Sequence, residues 1–146
     1  MSEVMDPAAG VRTITLTFAA KPEYLVLARL ALSGIGTAER IGSEDVADLK
    51  LAVTEACTNA IEHAYGDEGG QQEIVVSFTI AARELTVEVA DRGMGFDVEE
   101  IRDFEGDPTE TERGMGLALI ASLTDRLDVS SNGSGSRVRF SKRLGD

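Results

Sequence analysis

Four short segments of this chain carry residue types that can do chemistry, and their order along the chain matters more than any one alone. The first is Glu55-x-x-x-Asn59. On a helix at roughly 100° per residue, Glu55, Asn59 and Glu62 fall within about 60° of one another. That stripe offers a carboxylate able to take a proton and an amide oxygen that is a good hard ligand for Mg²⁺. The second is Asp91-x-Gly93-x-Gly95. Alternate glycines let a backbone turn sharply and approach a flat ligand, and the carboxylate can accept a hydrogen bond from an exocyclic amine such as adenine N6. The third, Gly114-Met115-Gly116-Leu117, opens a helical pattern, where free N–H groups without nearby Cβ atoms suit a phosphate. The fourth is Gly135-Ser136, whose hydroxyl can supplement the adenine contact. Taken singly, each is a weak signal that reads first as a solvated helix face or a plain turn. His63, at the edge of the first stripe, reads as a structural histidine.

These segments need elements to hold them. Val11 to Phe18 alternates as a strand, and Pro22 is placed to open a helix whose apolar spacing runs from Glu23 to Leu32. Ser43, followed by acids, predicts the N-cap of a second helix reaching about Tyr65. Its apolar set, Val46, Leu49, Val53, Ala56 and Ala60, centres well away from the Glu55 stripe. Strands follow near Glu73 to Ile80 and Leu85 to Ala90, joined by a short hairpin connection at residues 81–84. From Asp97 to Arg113 the chain carries eight acids and two arginines, net −6, which reads as a solvated loop or ligand-gated lid. Leu117 to Leu127 is helical in pattern, and Val129 with Val138 to Phe140 closes the chain as a hairpin around residues 132–135. The order β-α-α-β-β-lid-α-β-β implies an α+β two-layer sandwich with a mainly antiparallel sheet. Residues 1–10 are expected to be a flexible N-terminus and 11–146 a single domain.

Composition excludes several classes. With 42% hydrophobic and 27% charged residues the chain is neither a disordered tail nor a membrane protein. Twenty-six acids against fourteen bases, net −12, argue against direct nucleic-acid binding and favour a basic protein partner or an anion held by N–H groups and a metal. The single cysteine, Cys57, matches no zinc spacing, and the N-terminus shows no secretory signal, so a cytoplasmic location is expected. The most apolar stretch, Leu25 to Gly36, is interrupted by Arg29 and too short to span a bilayer. There is no P-loop, and G-x-G-x-x-G fails at both glycine pairs because Val98 and Leu119 hold the third position.

Taken in order, the four segments and the acidic lid resemble the GHKL ATPase superfamily, which binds ATP in the Bergerat α/β sandwich. Leu51 to Tyr65 (LAVTEACTNAIEHAY) resembles more closely the bacterial anti-sigma-factor serine kinases of the stress-response (RsbW-type) and sporulation systems. The run from Glu112 to Leu117 and then Ile120 to Asp125 is similar to their second glycine box, and the resemblance extends from about Leu16 to Leu144.

The resemblance implies roles. Glu55 becomes the general base toward an acceptor serine, and Asn59 the ligand of Mg²⁺. Asp91 reads adenine, with Gly93 and Gly95 admitting the base. Gly114, Met115, Gly116 and Leu117 form the phosphate-binding segment, and Ser136 stands where the family usually has threonine. Arg29 aligns with a partner-binding arginine, and Arg113 is a second candidate for that face. The implied cofactors are ATP and Mg²⁺. The implied partners are an alternative sigma factor and an anti-anti-sigma STAS-domain protein, with the kinase a homodimer. Three other readings stay open at this point: the switch kinase of a stress-signalling complex, a non-catalytic ATP-binding anti-sigma module, and the ATP domain of a sensor histidine kinase. The last needs an upstream dimerisation helix, and only about ten residues precede the first strand.

Overall fold

A computed structural model describes residues 10–65, 72–91, 112–132 and 135–145; for 63–65, 112–115 and 131–132 it describes the backbone alone. Strand β1 (Arg12–Ala19) leads through a short 3₁₀ turn (Pro22–Tyr24) into α1 (Leu25–Ala38). Helix α2 (Ser43–Asn59) continues without a break into a π-helical turn (Ala60–Tyr65). The hairpin β2 (Glu73–Ala81) and β3 (Glu84–Asp91) follows, then α3 (Glu112–Leu123), β4 (Arg126–Asn132) and β5 (Gly135–Arg143). The strands form one antiparallel sheet in the order β1-β2-β3-β5-β4. This is the expected α+β arrangement, with three helices among the described residues.

The period-2 pattern of the strands divides the sheet into two faces. Register aligns Leu16, Val76, Val89, Val138 and Val129 in one row, and Ile14, Phe78, Val87, Phe140 and Leu127 in the next. Apart from Ile14, which is exposed on the edge strand, these rows pack with Leu32, Leu49, Val53, Leu117 and Ile120 of the helices into one buried cluster. The opposite face carries polar side chains such as Ser77, Glu88, Arg139 and Asp128, which share a row. The β2–β3 connection is a two-residue turn with Ala82 at φ 52° and Arg83 at φ 62°, as a I′ hairpin demands. At the edge, Arg12 donates from two nitrogens to the Glu39 carboxylate at 2.8 and 2.6 Å, pinning β1 to the end of α1.

Several boundaries differ from the sequence reading. Ser43 is not the N-cap of α2; Gly42 holds that position, with no side-chain cap bond. Helix α1 runs on to Ala38, because Ala28, Leu32, Ile35 and Gly36 all face the core. Helix α3 begins at Glu112 and stops at Leu123, where Thr124 Oγ1 turns back to donate to the Ile120 carbonyl at 2.7 Å. Leu127 therefore belongs to β4, facing the core from the sheet. Of the expected lid, residues 97–111 lie outside the described residues, while Glu112 and Arg113 start α3. The expected N-terminal segment lies outside them as well, apart from Gly10.

Helices α1 and α2 cross closely at Gly36, where an added Cβ would lie 2.7 Å from Val46 Cγ2. A β-branched side chain in a helix has one favoured rotamer, so Val46 cannot swing aside cheaply. Helix propensity alone favours alanine over glycine by about 1 kcal/mol. Overpacking outweighs this, and Gly36→Ala is expected to destabilise the chain by about 1–3 kcal/mol. Urea unfolding checks it: an unchanged or raised midpoint would mean that the helices part without strain.

Candidate active site

Helix α2 presents its buried face, Leu49, Ala52, Val53 and Ala56, to the core. Glu55 lies beside that face, partly exposed, and Asn59, the last residue of the regular helix, is only 7% exposed. The Asn59 amide nitrogen is buried and has no hydrogen-bond partner among the described residues. Leaving such a group unpaired costs about 1–3 kcal/mol, which marks it as a group awaiting a partner. Immediately after it the winding changes to π, so Glu62 is turned outward and exposed. Single π turns in α-helices recur at functional sites. The side chain of His63 lies outside the described residues.

Facing this end of α2 is α3. A Cβ on Gly116 would lie 2.8 Å from Glu55 Oε2 and 3.0 Å from Asn59 Nδ2. Residues singled out in two separate segments of the sequence therefore meet at one point. Gly114 lies in the first turn of α3, where backbone N–H groups lack intrahelical partners. Leu117 is 1% exposed in the core, so its side chain faces away from any ligand. The side chains of Arg113 and Met115 lie outside the described residues, and so do Gly93 and Gly95 entirely.

The sheet contributes the second half. Asp91 is the last position of the buried stripe Leu85, Val87, Val89, Asp91 and stands opposite Ser136 on β5. Ser136 Oγ donates to Asp91 Oδ2 at 2.6 Å, and the Ser136 N–H donates to Oδ1 at 3.3 Å. Both residues are buried. A carboxylate accepts up to about four hydrogen bonds, so these two are compatible with a further one from an adenine amine. The Ser136 hydroxyl orients Asp91, a closer link than the supplementary contact expected from the sequence. The π turn after Asn59 packs against β3 and β5, bringing the two halves into one neighbourhood.

The donor set fits a magnesium nucleotide. Asn59 offers a hard amide oxygen, interchangeable by a flip with the unpartnered nitrogen. Among the described residues no group of three or more His, Cys, Asp or Glu could hold a metal alone. Cys57 takes no part: burial pushes its thiol up to about 12, leaving it protonated within the core.

Comparison with known proteins agrees with this geometry. A family model described as the histidine kinase-like ATPase domain matches residues 18–142. The serine-protein kinase RsbW of Bacillus pumilus is 39% identical over 99% of this chain and 90% of its own length. That of Listeria innocua is 46% identical over 77% of this chain and 75% of its own. The chain belongs to the RsbW serine-protein kinases of the histidine kinase-like ATPase family. Two solved structures share the fold. The RsbU and RsbW domains of Rv1364c from Mycobacterium tuberculosis match at a TM-score of 0.70 and 22% identity, over 91% of this chain and 32% of that one. A chain of the SiaB–SiaC complex from Pseudomonas aeruginosa matches at 0.64 and 16%, over 96% and 99%.

One positioning residue of this RsbW-family chain escaped the sequence reading. Lys142 shares the helix-facing side of β5 with Val138 and Phe140, donates to the Leu123 carbonyl at 3.2 Å, and pairs with Asp45 and Asp48 at 3.9 and 3.6 Å. It ties the end of α3 to the start of α2. An inward lysine at strand parity was the available signal, since such a charge needs carboxylates.

Asp91 sets the expected base preference. Guanine carries a carbonyl where adenine has its amine, so Asp91 would meet an acceptor. ADP should bind more tightly than GDP, and Asp91→Asn should weaken ADP binding by about tenfold, because a neutral amide is the poorer acceptor. Calorimetry giving equal affinities for the two nucleotides would refute the assignment.

Proposed function

We propose that this chain is an anti-sigma factor and ATP-dependent serine kinase that sequesters an alternative sigma factor and phosphorylates a serine of an anti-anti-sigma STAS-domain protein. The observation that carries the kinase half is the meeting of Glu55 and Asn59 at Gly116. Its kinship with RsbW serine-protein kinases supports the acceptor residue type. A vestigial binding module would have no need to keep both a base and a metal ligand in register.

When bound, MgATP supplies the phosphoryl group and the charge neutralisation that the transfer requires. The protein's own groups then position and move a proton. Glu55 accepts the proton of the serine hydroxyl. Asn59 holds the metal through its amide oxygen. The first turn of α3, at Gly114, receives the phosphates. Asp91, fixed by Ser136, selects the base, with Gly93 and Gly95 giving it room. Arg29, exposed on α1, and Arg113 serve the partner face. A net charge of −12 suits a basic sigma-factor surface. The same reading makes the chain a cytoplasmic homodimer; among the described residues no helix is long and apolar enough to cross a membrane.

The two α2 residues are separable by experiment. Glu55→Ala should leave nucleotide and sigma-factor binding intact while transfer to the antagonist falls by roughly 10²-fold or more. Asn59→Ala should damage both transfer and the Mg²⁺ dependence of nucleotide affinity. A radiolabelled-ATP transfer assay reads the contrast, and a wild-type rate from Glu55→Ala would reduce that carboxylate to a surface residue.

A further inference from the structure

Gly116 is poorly explained by phosphate contact. An α-helix leaves only its first four N–H groups without intrahelical partners, and with α3 starting at Glu112, Gly116 is the fifth residue. Its amide is therefore committed within the helix. What its bare Cα does face is α2: an added Cβ would meet Glu55 Oε2 at 2.8 Å, Asn59 Nδ2 at 3.0 Å and Glu55 Cγ at 3.2 Å. The Cγ contact matters most. A carboxylate oxygen can swing away, but Cγ moves only if the side chain changes its χ1 rotamer. Asn59 has less room still, being 7% exposed with its amide nitrogen buried and, among the described residues, unpartnered.

We infer that Gly116 is a positioning residue for phosphoryl transfer: its missing Cβ sets how closely the Glu55 carboxylate and the Asn59 amide approach α3. The inference rests on the reading of Glu55 as the base. Helix α3 thereby couples the base to the segment that receives the phosphates, since a shift of its first turns moves the wall against which Glu55 stands. The α1–α2 contact at Gly36 is the natural control. It is an equally tight glycine contact with α2, but it meets only the apolar side chain of Val46.

The test compares Gly116→Ala, Glu55→Ala, the double variant and Gly36→Ala. Transfer to the STAS antagonist at saturating MgATP, ADP affinity and thermal midpoint are measured for each. Gly116→Ala should lower the transfer rate by roughly 10²-fold while ADP affinity stays within about threefold. In the Glu55→Ala background the same change should cost no more than about twofold in transfer, because residues acting as a unit are not additive. Gly36→Ala should lower the midpoint and leave the saturated transfer rate within about twofold of wild type.

A readout without substrate separates the contact from the chemistry. In the ligand-free chain Gly116→Ala should lower the thermal midpoint, and Glu55→Ala should restore part of that loss by removing the Cγ and the carboxylate. A proportionate loss of ADP affinity would overturn the inference and leave Gly116 a phosphate contact only. So would a midpoint loss undiminished in the double variant. Wild-type transfer by Glu55→Ala would instead sink the base reading, whatever the midpoints show. If Gly116→Ala alone is insoluble, recovery of soluble, ADP-binding protein in the Glu55→Ala background supports the inference, and insolubility there too overturns it.

Discussion

Helix α2 must bury an apolar face and hold a polar pair in place, and it can do both only because α3 comes close at a residue without a side chain. At Gly116 the bare Cα leaves room for the Glu55 carboxylate and the Asn59 amide to stand close against α3. A second glycine, Gly36 on α1, grips the other half of the helix at Val46. Held at both ends, α2 behaves as a fixed rail, which phosphoryl transfer needs more than it needs covalent participation. The π turn that follows Asn59 then lets the chain leave the rail toward β3 and β5.

The sheet solves the complementary problem of keeping a carboxylate among apolar rows. Asp91 shares its row with Phe18 and Ile74, where an unpaired charge would be costly. Register places Ser136 directly opposite, so one residue supplies both an O–H and an N–H. Paired in this way, the carboxylate keeps its direction and can act as a fixed acceptor. A slip of one residue between β3 and β5 would turn the two groups to opposite faces and abolish the arrangement.

Charge does local work inside an acidic chain. Lys142 faces the helices, satisfies a terminal carbonyl of α3 and answers two carboxylates in the first turns of α2. One cation thus braces the two helices whose opposite ends meet at Gly116. On the surface, the bond from Arg12 holds the Glu39 carboxyl below its usual range. Its contribution is present above the unfolded value of 4.5 and is lost as pH falls through the lower folded value.

Much was legible in the sequence because local spacing reports periodicity. The alternation of Val11 to Phe18, the 3.6-residue pattern around Leu49 and Val53, and the hairpin at residues 132–135 each follow from contacts within a few residues. The candidate residues Glu55, Asn59, Asp91, Gly116 and Ser136 were legible as types able to do chemistry. Helix ends were not: Gly42 rather than Ser43 caps α2, and α3 starts five residues before Leu117, because caps depend on backbone geometry that several residue types satisfy. Only tertiary structure decided that Gly116 touches Glu55 and Asn59, that Ser136 serves Asp91, and that Lys142 faces inward. Those contacts join residues about 45 to 100 positions apart, and side-chain spacing along one segment carries no information about which other segment will lie against it.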